Sequence, residues 1–131
     1  MTTELMILGW TLVLALVQIM ASAALRNKET GIEYNMSARD KPAPPPGVVT
    51  ARLQRAQANL FETLPLFAAA VLIAHVGGRE GDLTLWGAWA YLIARVLYVP
   101  LYAAGIPVVR SIVWSVSLVG LGMVLAAILL P

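Results

Sequence analysis

Two ionisable side chains, Glu62 and Arg95, fall within apolar runs long enough to cross a bilayer. A charge at that depth is costly, so such residues face protein or a polar cavity and are functional candidates by default. Each has polar companions at helical spacing. Arg52, Arg55, Asn59 and Glu62 lie at offsets of three, seven and ten. At ~100° per residue they fall within about 80° of one another, one polar stripe on a helix otherwise made of Leu, Phe and Ala. Tyr91, Arg95, Tyr98 and Tyr102 are spaced four, three and four and share one narrow face of the next helix. Facing stripes of this kind can line one polar site. The plainer alternative is a buried Glu62–Arg95 ion pair that only fixes helix packing. Tyr102 alone would read as an interfacial anchor, and His75 as an interfacial residue rather than a ligand, because no second histidine or carboxylate cluster accompanies it.

Four apolar segments must position these residues. A bilayer crossing takes roughly 20 helical residues, and the 131-residue chain accommodates helices over about 5–25, 48–76, 83–102 and 108–130. The first run, Leu5 to Leu25, is too long for a signal-peptide core and has only Glu4 as a charge before it, so it reads as a retained span. Arg26 to Thr50 reads as a loop, because Pro42, Pro44, Pro45 and Pro46 cannot sit in a helix interior. Helix two follows, with Thr50 as a candidate N-cap, Arg52 and Arg55 in its projecting first turns, and a kink or a lost hydrogen bond expected at Pro65. Trp10, Trp86 and Trp114 suit interface belts, and Trp89 falls inside its span.

Composition agrees. Hydrophobic residues make up 60% of the chain and charged residues 12%, against about 45–50% and ~25% in soluble domains. A soluble globular domain and a disordered chain are both excluded. The absence of cysteine removes disulfides, thiolate metal sites and a cysteine nucleophile. A net charge of +2 gives no argument for nucleic acid, and no metal site is expected. Seven of the nine lysines and arginines lie in or beside the first and third loops. The positive-inside rule therefore puts those loops in the cytoplasm and both termini on the other side. Short loops and the lack of a retention tail point to a bacterial inner membrane. The expected fold is all-α: one domain over 1–131, an integral membrane four-helix bundle.

The second helix carries Arg52-Leu-Gln-Arg55-Ala56-Gln57-Ala-Asn59-Leu-Phe-Glu62 followed by Pro65. This pattern, R-x-x-R-A-x-x-N-x-x-E-x-x-P, resembles the signature of the MAPEG family, the membrane-associated proteins of eicosanoid and glutathione metabolism. The run Ala94-Arg95-Val-Leu-Tyr98-Val-Pro-Leu-Tyr102 resembles the family's second conserved segment, and Arg110-Ser111 its third. The resemblance implies a homotrimer that binds glutathione as cosubstrate between adjacent subunits. Arg52, Arg55, Asn59 and Glu62 would come from one subunit, and Arg95, Tyr98, Tyr102 and Arg110 from its neighbour, with Arg26 as a further glutathione contact. Arg110 would stabilise the thiolate, with Ser111 as a second donor. The implied activity is that of a glutathione transferase acting on lipophilic electrophiles, with a peroxidase activity on lipid hydroperoxides. The family also contains non-catalytic, lipid-presenting members, which gives the alternative of an accessory membrane protein. A small multidrug transporter is a third class, but those proteins carry a membrane carboxylate in the first helix, and here that helix has none after Glu4.

Overall fold

The computed structural model describes residues 1–131 as five helices: α1 (Thr3–Thr30), α2 (Ile32–Met36), α3 (Val48–Val76), α4 (Asp82–Ala103) and α5 (Pro107–Leu129). There is no strand. The four long helices are apolar enough to cross a membrane, and the chain is a multi-pass integral membrane protein. They alternate in direction. The C-terminal ends of α1 and α4 meet the N-terminal ends of α3 and α5 at one end of the bundle, which carries seven of the nine lysines and arginines. This is the cationic end. At the far end, Thr2 before α1 bonds to Glu80 between α3 and α4.

Helix boundaries follow local chemistry and correct the expected ones in places. Thr2 caps α1, its hydroxyl accepting from the Leu5 N–H at 3.4 Å. The helix does not stop at Leu25. Residues 26–30 contain no glycine or proline, and Arg26 pairs with Glu29 one turn on at 3.0 Å. Termination comes at Gly31, whose φ of +85° an L side chain rarely adopts. Its N–H donates to the Asn27 carbonyl at 2.8 Å. At 1.5 Å per residue α1 is about 42 Å long, beyond a hydrocarbon core of ~30 Å, so its last turns project. The expected loop over 26–50 is thus helical to Thr30, again in α2 and from Val48 on; only Gly31 and residues 37–47, which hold the four prolines, lack helix.

The N-cap of α3 is Gly47, not Thr50. Glu29 supplies the missing acceptor from α1. Its carboxylate takes the Gly47 N–H at 3.2 Å and the Thr50 hydroxyl at 2.7 Å. A carboxylate is favoured there because the first turn leaves its N–H groups unpaired. Pro65 does not break α3, which is helical throughout Val48–Val76. The covalent loss of one N–H is tolerated because Leu60, Leu64, Phe67 and Val71 hold the flanking turns in the core.

The core runs along the bundle axis and includes Ile7, Leu60, Phe67, Val71, Tyr91 and Val124. Phe67 and Tyr91 stack at 4.0 Å between ring centroids, and the Tyr91 hydroxyl bonds to that of Thr63 at 2.7 Å. Helices α4 and α5 approach backbone to backbone at Gly87 and Gly120. A Cβ on Gly87 would lie 2.7 Å from the Gly120 carbonyl oxygen, and one on Gly120 would lie 2.8 Å from the Tyr91 nitrogen. Small residues give this close approach where lipid offers no hydrophobic drive for association. The contact sets the position of α4 against α5, and therefore of Tyr102 against Arg110.

Candidate functional site

The site forms at the cationic end. The Glu29 cap fixes the first turn of α3, and Arg52 and Arg55 follow on the next turns. Arg52 donates to the Ala103 carbonyl at the end of α4, at 3.2 Å. Its guanidinium lies against Gly105, where a Cβ would sit 2.8 Å from Cζ. Gly105 has φ +75°, a conformation that favours glycine, and any side chain there would displace the Arg52 guanidinium. Arg55 Nε donates to the Tyr102 hydroxyl at 3.1 Å. Arg110, in the first turn of α5, lies 4.6 Å above the Tyr102 ring.

These groups line a cavity of about 260 Å³ together with Gly105, Ile106 and Pro107. Three guanidiniums face it and no carboxylate does. Such a wall attracts carboxylates, which arginine holds bidentately, and it can stabilise an anionic sulfur. The positive-φ turn at Gly105 and Pro107 at the start of α5 bring Arg110 to the wall despite the short link from Tyr102.

Arg52, Arg55, Tyr102 and Arg110 therefore meet within one subunit, and the two stripes touch without a neighbour. Asn59 and Arg95 meet as well: Arg95 Nη2 donates to Asn59 Oδ1 at 2.9 Å. Arg95 is 1% exposed, and its Cζ lies 4.8 Å from the Tyr98 ring and 6.0 Å from that of Tyr91. Tyr98 in turn packs edge-on against Tyr102 at 5.5 Å. The packing alternative, a Glu62–Arg95 ion pair, is not formed. Glu62 is exposed on the outer surface of the subunit, and no ion pair or hydrogen bond links its carboxylate to this chain.

Asn59, Glu62, Arg95 and Tyr98 lie further along the stripes and do not line the cavity, and Ser111 and Arg26 lie off the stripes altogether. The Ser111 hydroxyl donates to the Pro107 carbonyl at 3.1 Å and does not line the cavity. A serine in a first helical turn readily bonds to the carbonyl four residues back. Arg26 is held by Glu29 and by the Pro44 carbonyl at 2.6 Å. It lines a separate cavity of about 410 Å³ between α1, α2 and α3, with Ser22, Asn35, Arg39 and Gln57 among its walls. Sequence reasoning missed Gln57 and Arg39 there, as well as the structural role of Glu29. A carboxylate three residues after Arg26 was the available signal for that cap. His75 is tied to Glu80 at 3.0 Å, and no three His, Asp or Glu side chains converge as metal ligands.

A model of the MAPEG family matches residues 7–130 of the 131-residue chain. The chain belongs to the MAPEG family. No curated protein matches it. MAPEG proteins are membrane four-helix bundles and generally oligomeric, and members that use glutathione include transferases and peroxidases. The long helices of this MAPEG chain supply those four spans, with α2 as a short addition in the first connection.

Proposed function

We propose that the protein is a glutathione-dependent transferase acting on lipophilic electrophiles, and that the same thiolate reduces lipid hydroperoxides. The observation that carries this reading is the convergence of Arg52, Arg55 and Arg110 on one cavity that has no acidic wall. Glutathione has two carboxylates, one ammonium group and one thiol. Two arginines match its carboxylates, and the outward-facing Glu62 matches its ammonium. The remaining arginine serves the sulfur.

Arg110 acts by charge and not as a base, since a guanidinium does not deprotonate in proteins. A thiol with a pKa of about 8.5 loses its proton to water more readily when a cation stabilises the thiolate. A shift of two units corresponds to roughly 3 kcal/mol of differential interaction. The thiolate then attacks an electrophilic carbon, forming a C–S bond as the leaving group departs with its electron pair. With a hydroperoxide it attacks the distal oxygen and breaks the O–O bond, expelling an alkoxide that takes a proton from water to become the alcohol, and the sulfenic acid left behind is converted by a second thiol to a disulfide and water. Tyr102, held by Arg55 and covered by Arg110, orients both guanidiniums.

The assembly in this reading is a trimer. A lone subunit would expose Glu62 to lipid without a partner, which is costly. The Arg26–Gln57 cavity lies about 130° round α3 from the stripe at ~100° per residue. In a closed ring, one face of each subunit meets a different face of the next. A ring of three that lays the Arg26 cavity against the neighbouring Glu62 covers that carboxylate with a cationic surface and completes the site from two subunits. Titration of glutathione into purified protein, followed by thiolate absorbance, tests the function. The appearance of thiolate at neutral pH supports it, and binding without thiolate favours a non-catalytic member.

A further inference from the structure

We infer that Arg95 is a positioning residue that locks the Asn59 amide in one orientation, so that Asn59 turns its N–H donor end toward the bound tripeptide. The inference rests on the glutathione reading and assigns Arg95 a different task from the ligand contact that the family resemblance implies.

An asparagine amide has an acceptor end and a donor end, and in isolation it can present either. Arg95 removes the choice. Its guanidinium has donors only, and Nη2 reaches Asn59 Oδ1 at 2.9 Å. A flipped amide would set N–H against N–H. Asn59 Nδ2 makes no hydrogen bond within the subunit and is not buried, so its two donors remain free on the stripe between Arg55 and Glu62. A ligand group that meets the free Nδ2 end of Asn59 must therefore be an acceptor, a carbonyl or carboxylate oxygen. The ammonium is left to Glu62, which divides the recognition of the two ends of the ligand between neighbouring residues.

Arg95 is itself held for this task. It is 1% exposed and shelved against Tyr98 and Tyr91. Tyr91 is fixed from behind by the Phe67 stack and the Thr63 hydroxyl. Arg95 Nη1 is buried and has no partner. A guanidinium kept for packing alone would have its donors satisfied; this one has a single polar bond, and that bond is to the amide on the stripe. The pair joins α4 to α3 one turn beyond Arg55.

A double-mutant cycle on the full-length protein tests this, reading glutathione affinity by calorimetry alongside thermal stability and assembly. Arg95→Met removes the donor while retaining bulk, and should weaken glutathione roughly tenfold, the size of one lost hydrogen bond. Asn59→Ala should weaken it at least as much. The double variant should bind no more weakly than Asn59→Ala alone, because Arg95 acts only through Asn59. Arg95→Lys retains a donor for Oδ1 and should hold affinity within roughly threefold, even if the Met variant does not fold. Losses that multiply in the double variant overturn the inference by showing that Arg95 acts on the ligand independently. Unchanged affinity in a folded Arg95→Met protein also overturns it, as does a folded Lys variant that loses binding. Wild-type protein that binds no glutathione overturns the functional reading and this inference with it, an outcome distinct from the other three.

Discussion

The two ends of the bundle treat their polar groups differently. At the far end, polar side chains are paired with one another across helices. Thr2 donates to Glu80 at 2.7 Å, His75 meets the other oxygen of Glu80 at 3.0 Å, and Thr84 donates to the buried Glu4 at 3.1 Å. Arg79 reaches the Leu130 carbonyl at 3.2 Å. The cavity beside this cluster has Arg79, Glu80 and Asp82 on its walls, charges of both signs. At the cationic end three guanidiniums face one cavity with no counter-charge, and Glu62 and Arg95 Nη1 are left without partners in the subunit. The two ends differ in counter-charge: acidic groups line the far cavity beside Arg79, and the cationic cavity has none. In the proposed function, the uncompensated end is where the ligand binds.

The largest expected effect breaks the recognition end. Arg55→Glu inverts one of three charges and frees Tyr102, and should reduce glutathione affinity on the order of 100-fold, as expected for loss of a desolvated charge contact. The helix should remain, because Arg55 is exposed and outside the core; circular dichroism and calorimetry check both halves. Glu62→Gln comes next. It should weaken glutathione about tenfold while leaving the subunit's melting temperature unchanged, since Glu62 pairs with nothing in its own chain. A melting temperature that falls with no selective loss of binding would return Glu62 to a purely structural role.

The far end should respond in the opposite way. Thr84→Val breaks the bonds to Glu4 and to the Gly81 N–H at 2.8 Å, and should cost about 1–3 kcal/mol of stability with glutathione affinity intact. Burial pushes the Glu80 carboxyl up, but the hydrogen bonds from Thr2 and His75 outweigh it and hold the group below its ordinary 4.5. A depressed carboxyl stabilises the fold above its unfolded pKa, and that contribution disappears as pH falls through the lower folded value. Thermal stability should therefore begin to decline below about pH 4.5, and Glu80→Gln should flatten the decline. The smallest effect is expected at Ser111→Ala. Its hydroxyl serves the Pro107 carbonyl, so turnover should be unchanged and stability should move by no more than about 0.5 kcal/mol.

The sequence was most legible where periodicity carries the information. Four apolar runs identified the spans, and the spacing of Arg52, Arg55, Asn59 and Glu62 showed that one face of α3 is polar. Periodicity gives an angle round a helix, not the neighbour that covers it. It could not tell that Arg95 would reach Asn59 and leave Glu62 facing outward, or that Tyr102 and Arg110 would meet Arg55 in the same subunit. Short-range choices were hidden too. Ser111 had a carbonyl one turn back that competed with the cavity, and Thr50 had a carboxylate eighteen residues before Gly47 that took the capping task from it. The end of α1 turned on Gly31 and not on where the apolar run stops, because a helix can continue through Arg26–Thr30 in water once it has formed.

The most direct test of the central claim is the absorbance of glutathione thiolate on binding, compared between wild-type protein and Arg110→Ala at neutral pH. The three-arginine cavity predicts that wild type forms thiolate on binding. It also predicts that the alanine variant binds with nearly the same affinity but forms little thiolate, its bound thiol pKa having risen by about two units, or roughly 3 kcal/mol. Equal thiolate formation in the two proteins, or none in either, would contradict it.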